Sequence, residues 1–466
     1  ARSPPGPEPP RPKVVGPHSF CGGGPERQYS GVLPAGPGAS YFFWLARSDR
    51  PAEPGAAPTP LILWLSGGPG CSSTLAFLLE NGPCRVLGGG PGGWRTGRNP
   101  SSWTRVAHVL WVDQPSGVGF SEGPMVANET AVAERMEAFL RSFFLRFSDL
   151  REAPFFITGE SFAGHYVPAL AARLLRRDPV LPRVSGIAMG NALVSPVPQI
   201  LSEPEMARTG GAGGSLGHGV VDNKTYERML GAVPACASMM RACQELRNPR
   251  ECVPALAVCV PPMMMPVLAS GRNPYDLRKA CSPELRPLCY NISLQTAFMN
   301  DPAIKEALGV DPAVPWTACN LMVGMPFWAG GDFLARYDQD VVGLLAAGVR
   351  VLAYSGDCDY MVNWLGTKAW LRELAWQRRE RWLEEPDRDY FVSGQKRGVL
   401  RAHGGLSFLQ VFESGHLVPH DQPEVALAMI RDFVAPVADA RAPSSASRDS
   451  LDEMGSAPST GPLSDS

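Results

Sequence analysis

The segment that decides the fold reads Phe155-Phe156-Ile157-Thr158-Gly159-Glu160-Ser161-Phe162-Ala163-Gly164. Its first half is an apolar run with the aromatic and β-branched residues that favour a strand. Small residues then surround one serine, and apolar side chains recur at helical spacing beyond it. This order predicts a nucleophile elbow, a tight turn from strand to helix that projects the Ser161 hydroxyl out of a sheet. On this segment alone, an ordinary turn that happens to contain serine remains the alternative.

Length and composition limit the classes of protein to which the chain can belong. Its 466 residues can hold one large domain or two to three smaller ones, and 44% hydrophobic residues are ample for a core. The net charge of −2 gives no electrostatic reason to expect nucleic acid or an acidic membrane as a partner. Uninterrupted apolar runs are short, so we expect no membrane span. The chain starts at Ala1 without a charged-then-apolar leader, and we expect any signal peptide to have been removed.

The cysteine pattern predicts disulfide bonds in an oxidising compartment. Four of the eleven cysteines form a symmetric set at positions 236, 243, 252 and 259, and Cys281 and Cys289 form a second close group. Histidine is not interleaved with them and C-x-x-C is absent, so we expect neither a metal nor a cofactor. Three glycosylation sequons, at Asn128, Asn223 and Asn291, agree with the secretory pathway. Lysosome, vacuole and the extracellular space all remain open.

Strand-like runs alternate with helical patterns over much of the chain. The predicted strands include residues 41–45, 61–65, 106–112, 184–189, 349–354 and 406–412, and the predicted helices cover 131–147, 365–385 and 422–434. This alternation predicts an α/β fold with a mainly parallel central sheet flanked by helices.

The alternation stops over residues 195–318, where Gly, Met and Cys dominate. We interpret this stretch as a cap insertion that disulfides hold together because its own core is small. The core then consists of residues 26–194 and 319–435. Residues 1–25 are crowded with Pro, Gly and Arg, and we expect an extended or disordered lead-in there. Residues 436–466 have little to bury, and we expect them to be disordered.

A seryl nucleophile needs a base, and the base needs an orienting carboxylate. In the chain order Ser, acid, His, only His218, His403, His416 and His420 come late enough. His416 alone sits directly after a convincing strand, so we take it as the base. Asp357 and Asp359 both follow the strand at 349–354, and spacing alone does not separate them.

Seven motifs together give a specific family resemblance. They are Gly-Gly-Pro-Gly-Cys-Ser-Ser at 67–73, Asp-Gln-Pro at 113–115, Gly-Val-Gly-Phe-Ser at 117–121, Gly-Glu-Ser-Phe-Ala-Gly at 159–164, Ser-Gly-Asp-Cys-Asp-Tyr at 355–360, Asn-Trp-Leu-Gly at 363–366 and Gly-His-Leu-Val-Pro at 415–419. In these motifs, in their order, the sequence resembles the serine carboxypeptidases, a family that includes a yeast vacuolar enzyme and lysosomal cathepsin A. The resemblance extends from about residue 28 to residue 434.

The resemblance implies an α/β-hydrolase fold and an enzyme that removes C-terminal residues from peptides or proteins. It implies Asp359 as the acid of the triad and the N–H groups of Gly68 and Phe162 as the oxyanion hole. It assigns the substrate's terminal carboxylate to Trp64, Ser66, Gly67, Glu80 and Glu160, and the pocket for the C-terminal side chain to Leu417. Crowded, buried glutamates have raised pKa values, so we expect peptide hydrolysis to be fastest in acid.

The resemblance also implies a set of disulfide pairs: Cys236–Cys259, Cys243–Cys252, Cys281–Cys289 and Cys71–Cys319. Cys21, Cys84 and Cys358 are left over. Since the total is odd, at least one of these three is unpaired, and Cys21 with Cys84 is the pair we would try first.

Ser66 is the departure from the family that matters, because the family has asparagine there. Serine is shorter and offers one hydroxyl donor, so we expect weaker recognition of the terminal carboxylate. Plant acyltransferases of the same family also alter this loop and remain an alternative, although they lose the glutamate that is present here as Glu160. A protective role as a binding partner of other enzymes is a third reading. We expect hydrophobic C-terminal residues as substrates, and the sequence leaves open a homodimer.

Overall fold

The computed structural model describes residues 13–18, 20–21, 24–49, 57–90, 92–176, 178–211, 213–285 and 288–436 of the chain. The strands of the described residues are β1 (Lys13–His18), β2 (Gln28–Pro34), β3 (Ser40–Ala46), β4 (Leu61–Leu65), β5 (Cys84–Gly88), β6 (Trp94–Arg98), β7 (His108–Val112), β8 (Phe155–Glu160), β9 (Val184–Gly190), β10 (Arg272–Asn273), β11 (Asp276–Ala280), β12 (Arg350–Gly356), β13 (Arg388–Val392), β14 (Gln395–His403) and β15 (Leu406–Val411).

The helices of the same residues are α1 (Ser73–Leu79), α2 (Glu129–Arg146), α3 (Ala163–Leu174), α4 (Pro196–Ile200), α5 (Glu203–Thr209), α6 (Asn223–Leu246), α7 (Pro249–Ala269), α8 (Ser293–Asn300), α9 (Pro302–Leu308), α10 (Leu321–Gly330), α11 (Asp338–Ala346), α12 (Trp364–Glu373), α13 (Arg379–Glu384), α14 (Val418–Asp421) and α15 (Pro423–Val434). Single 3₁₀ turns lie at Trp103–Arg105, Ser148–Leu150, Pro283–Leu285 and Asp332–Leu334.

Eleven strands form one mixed sheet in the order β1-β2-β3-β7-β4-β8-β9-β12-β15-β14-β13. The six central strands are β7, β4, β8, β9, β12 and β15, and neighbours among them pair in parallel. The strands at the edges pair antiparallel: β1, β2 and β3 at one edge, and β14 and β13 at the other. Small antiparallel hairpins join β5 to β6 and β10 to β11. The predicted α/β fold with a mainly parallel central sheet is therefore confirmed.

The sequence of β4 shows why a continuous apolar run becomes a central strand. Leu61, Leu63 and Leu65 face one buried core, and Ile62 and Trp64 face the other, because successive side chains of a strand point to opposite faces. Helices α2, α3, α11 and α12 contribute to the first core, and α1, α8 and α15 to the second. Both faces of the sheet are covered, which requires apolar residues at every position of the strand.

Two long helices, α6 and α7, dominate the insertion and were not predicted as helices. The disulfides Cys236–Cys259 and Cys243–Cys252 join them, and all four cysteines are buried between them. The sequence obscures α7 because it carries four internal prolines, which normally break a helix. Packing against α6 and the two cross-links outweigh that local preference.

Helix α7 also bears on the expected absence of a membrane span. It is the one helix of the described residues that is long and apolar enough to cross a membrane by length and composition, with 28% of its apolar window buried. Prolines interrupt its apolar run, so the sequence did not indicate α7 as a possible span. Its cross-links to α6 fix it within the insertion.

The lead-in at 1–25 was expected to be extended or disordered, and part of it is ordered. Lys13–His18 forms the extended strand β1, which pairs with β2, and Cys21 forms a disulfide with Cys84. The strand gains main-chain hydrogen bonds from the edge of the sheet, which a reading of composition does not detect. Residues 1–12 and 22–23, and residues 437–466 of the predicted tail, lie outside the described residues.

Candidate active site

The predicted elbow is the turn between β8 and α3. Ser161 adopts a left-handed backbone conformation with φ of 64°, which is rare for any residue other than glycine. Its N–H donates to the Gly190 carbonyl at 3.1 Å, and its own carbonyl accepts from the N–H groups of Gly164 and Leu193 at 3.0 and 2.9 Å. These bonds hold a strained residue in place, as is common where a side chain must be presented for chemistry.

His416 and Asp359 meet at the carboxyl ends of neighbouring strands. His416 follows β15, Asp359 follows β12, and His416 Nδ1 lies 2.8 Å from Asp359 Oδ2. The main-chain N–H of His416 donates to the Tyr275 carbonyl at 2.7 Å, so the β10–β11 hairpin fixes the histidine from the cap side. Both side chains are buried.

The Asp359 carboxylate is held by further donors. Its Oδ2 accepts from Asn191 Nδ2 at 2.8 Å and from the Val362 N–H at 3.2 Å, and Oδ1 accepts from the Met361 N–H at 3.1 Å. Sequence reasoning missed Asn191. Its position directly after the predicted strand at 184–189 was the available signal, because the carboxyl ends of parallel strands meet at one edge of a sheet.

Asp357, the other acid that spacing could not exclude, has a different partner. Its two oxygens accept from the Ser215 N–H and hydroxyl at 2.6 and 2.7 Å. Burial raises the pKa of this carboxyl, while the Ser215 donors lower it. Asp357 therefore ties a loop of the insertion to the catalytic edge, and Asp359 is the acid that reaches His416.

The loop after β4 lies directly against the elbow. A Cβ atom at Gly67 would lie 2.4 Å from the Phe162 nitrogen, so only glycine permits this approach. Phe162 stands at the start of α3, and both Gly68 and Phe162 line the cavity beside Ser161. The disulfide Cys71–Cys319 attaches the same loop to the end of the insertion.

A cavity of about 200 Å³ opens at the carboxyl ends of the strands. Most of its wall is apolar and comes from the core and the insertion. The predicted site residues in its wall are Ser66, Gly67, Gly68, Glu80, Glu160, Ser161, Phe162, His416 and Leu417. Trp64 lies behind them in the core and donates its Nε1–H to Ser66 Oγ at 3.1 Å.

Glu80 and Glu160 form a buried pair of carboxyl groups at one end of this cavity. Burial is the main cause that raises the pKa of Glu80 to about 8, and the nearby Asp421 adds to it. Burial together with Glu80, Asp359 and Asp421 raises the pKa of Glu160 well above its ordinary range. The Oε2 atoms of both have no hydrogen-bond partner among the described residues. Near neutral pH the pair is therefore at least partly protonated and can donate hydrogen bonds.

The cysteines pair as the resemblance implied. In addition to the pairs already given, Cys281 bonds to Cys289, and Cys358 is the one free cysteine of the described residues, buried beside Asp357. Five disulfides are typical of proteins of the secretory pathway. The three sequon asparagines, at 128, 223 and 291, are all exposed.

Comparison with known proteins places this site in a family. The family model for serine carboxypeptidases matches residues 18–436. The chain belongs to the serine carboxypeptidase family. It is 34% identical over 414 residues to carboxypeptidase Y of Candida albicans, an alignment that covers 88% of this chain and 73% of the relative. It is 32% identical over 411 residues to serine carboxypeptidase 3 of Oryza sativa subsp. japonica, covering 86% and 77%.

A solved structure of another carboxypeptidase shows the same fold. The prohormone-processing carboxypeptidase of Saccharomyces cerevisiae superimposes with a TM-score of 0.74 at 22% identity, covering 88% of this chain and 91% of that one. The predicted α/β-hydrolase fold with a disulfide-linked insertion is therefore confirmed, and the chain is a serine-type carboxypeptidase.

Proposed function

We propose that this serine carboxypeptidase releases C-terminal residues from peptides through an acyl-enzyme on Ser161, with His416 as the base and Asp359 as its orienting acid. The supporting observation is the 2.8 Å contact between His416 Nδ1 and Asp359 Oδ2, beside a cavity that Ser161 and His416 both line. Because Asp359 accepts the Nδ1 proton, Nε2 of His416 is left as the acceptor that a seryl base requires.

The reaction has two halves. Ser161 Oγ attacks the carbonyl carbon of the last peptide bond as its proton passes to His416, and the N–H groups of Gly68 and Phe162 stabilise the oxyanion. His416 then gives that proton to the leaving nitrogen, which releases the C-terminal amino acid and leaves an ester on Ser161. A water molecule, deprotonated by His416, attacks the ester and restores the enzyme.

The substrate's terminal carboxylate would bind at the Glu80–Glu160 end of the cavity. A protonated carboxyl can donate a hydrogen bond to a carboxylate, whereas an ionised one repels it. Ser66 supplies a hydroxyl donor, and Trp64 orients it by donating to its oxygen. The Gly67 loop completes this end of the cavity.

This chemistry favours acid. Because Glu80 has a raised pKa of about 8, its protonated form dominates below that pH and is lost as the pH rises through it. We expect kcat/KM for peptides to be highest in acid and to fall as the pH passes through about 8, while His416 must stay unprotonated to act as a base. An ester of an N-blocked amino acid lacks the terminal carboxylate and should not show the alkaline fall.

The pocket for the C-terminal side chain supports a preference for hydrophobic residues. Leu417, Leu79, Leu288 and Ile292 contribute apolar wall near the carboxyl pair. The disulfides and exposed sequons support a place in a lysosome or vacuole or outside the cell.

The test compares an N-blocked dipeptide with a free C-terminus and the same dipeptide as its amide. Labelling by a fluorophosphonate together with cleavage of the free acid alone supports the proposal, and Ser161→Ala should abolish both. Labelling without peptide cleavage would instead point to acyl transfer, which the presence of Glu160 disfavours. Equal cleavage of acid and amide would contradict the carboxylate site.

A further inference from the structure

A buried carboxyl group lies in the cavity wall contributed by the insertion. Glu203, the first residue of α5, is 4% exposed and lines the cavity that contains Ser161. The same cavity is also lined by apolar side chains, among them Leu193, Ile200, Met264, Met361 and Val362. A carboxyl group in such a wall costs free energy unless something pairs with it.

The described residues pair this carboxyl group only in part. Glu203 Oε2 is buried without a hydrogen bond, and no salt bridge of the described residues includes this side chain. A side-chain hydrogen bond with Tyr360 lowers the pKa of the carboxyl group, although the Tyr360 hydroxyl also donates to the Met263 carbonyl at 2.6 Å. Burial is the main cause that raises the pKa of Glu203 well above its ordinary range, and Asp359 raises it further. Without a cation nearby, the group therefore keeps a proton.

Rigid packing holds Glu203 at this place. The preceding residue, Ser202, donates its hydroxyl to Asn363 Oδ1 at 2.9 Å. Asn363 follows the turn after β12 that carries Asp357 and Asp359, here called the catalytic turn. A Cβ atom at Gly366 would lie 2.6 Å from the Ser202 oxygen, so glycine allows α5 to approach α12 this closely. The start of α5, which carries Glu203, is thus held against the start of α12, directly after the turn that contains Asp359.

Glu203 lies apart from the pair that would bind the terminal carboxylate. Asp359 raises the pKa values of both Glu203 and Glu160, yet neither Glu80 nor Glu160 is among the groups that shift Glu203. Glu203 enters the cavity wall from α5 of the insertion, whereas Glu80 follows α1 and Glu160 ends β8 of the core. A peptide bound with its carboxylate at Glu80 and Glu160 and its last peptide bond at Ser161 would have the wall from the insertion left for its penultimate side chain.

We infer that Glu203 makes the subsite for the penultimate residue selective for a cationic side chain, lysine or arginine. The inference rests on the proposed function, since it assumes that peptides are cleaved at Ser161. The aliphatic stem of such a side chain would lie along Leu193, Ile200 and Val362, with its charged end at the carboxyl group. As the cation enters, Glu203 would release its proton to the solvent and form a charge-assisted ion pair that is then shielded from water.

The experiment measures kcat/KM for two N-blocked dipeptides, Lys-Phe and norleucine-Phe, which differ by the ammonium group but share the same stem. We expect the natural enzyme to favour lysine, and Glu203→Gln to lower the lysine-to-norleucine ratio about tenfold or more. Glu205→Gln, on the exposed side of the same helix, should leave the ratio unchanged. The ratio within one preparation does not depend on the fraction of enzyme that is folded.

Each other outcome overturns the inference in a recognisable way. If the lysine-to-norleucine ratio of kcat/KM is the same in the natural enzyme and in Glu203→Gln, the carboxyl group does not contribute to selection of the penultimate residue. An equal loss on both substrates would make Glu203 a support of the catalytic turn. If the natural enzyme cleaves neither norleucine-Phe nor Lys-Phe, the proposed function fails rather than the specificity. Glu203→Leu provides a second variant, which should cleave norleucine-Phe while losing the preference for lysine.

Discussion

At the sheet edge, the Asp359 carboxylate accepts four hydrogen bonds, from His416, Asn191, Met361 and Val362. On the side of the insertion, Glu203 Oε2 accepts none among the described residues. Both groups are buried, and both lie close to the same cavity. The Asp359 carboxylate is fully paired before any substrate arrives, whereas Glu203 keeps one oxygen without a partner among the described residues, and this contrast suits the roles proposed for them.

The difference between the two carboxyl groups matches the different demands of catalysis and of substrate selection. A group that stabilises developing charge works best when its surroundings are already oriented, since reorientation during the reaction would cost free energy. A group that selects a substrate gains discrimination from being left unpaired, because a ligand that cannot satisfy it leaves a costly buried polar atom. In the proposed function Glu80 and Glu160 are of the second kind, since their Oε2 atoms have no hydrogen-bond partner among the described residues.

The largest expected effect separates the two aspartates of the catalytic turn. Asp359→Asn should lower kcat for peptide cleavage by roughly 10⁴-fold, because an amide cannot stabilise the imidazolium form of His416. Asp357→Asn should cost less than about tenfold, since Asp357 bonds to Ser215 rather than to His416. Steady-state kinetics on one peptide decide it, and similar losses in both variants would contradict the assignment.

The next prediction concerns the insertion, which contributes part of the cavity wall and is cross-linked by its own disulfides. Replacing Cys243 and Cys252 together by serine removes a cross-link between α6 and α7 and should lower the free energy of unfolding by about 3 kcal/mol. Because the sheet positions the catalytic groups, kcat should change less than threefold or so while KM rises. Denaturant titration and kinetics measure the two quantities. If kcat fell as far as KM rose, the insertion would be positioning the triad as well.

The smallest expected effect lies at Ser66, where serine offers the substrate's terminal carboxylate a weaker donor than the asparagine of the family. Ser66→Asn adds an amide donor towards the terminal carboxylate and should lower KM for peptides by about fivefold, the scale of one hydrogen bond. Esters without that carboxylate serve as the control and should be hydrolysed with unchanged KM. An unchanged KM for peptides would mean that Ser66 already satisfies the carboxylate.

Local patterns in the sequence predicted the core of the fold and most of the catalytic edge. Continuous apolar runs such as Leu61–Leu65 have few alternatives to a doubly covered strand, and the turns that follow them carry Ser161, Asp359 and His416. Local patterns did not predict α7, whose prolines argue against a helix, or β1, whose partner is distant in the sequence. They could not separate Asp357 from Asp359 either, because two residues in one turn differ only in which way they face.

The sequence by itself determined the family, the strand-turn-helix around Ser161 and the residue types available for the chemistry, because these depend on short-range pattern and order. Only the tertiary structure decided which groups meet: Asn191 with Asp359, Ser215 with Asp357, and Glu203 with an apolar wall. Burial and partnering depend on segments up to 168 positions apart, and no local pattern encodes them. The raised pKa values of Glu80, Glu160 and Glu203 arise from burial that such distant contacts create.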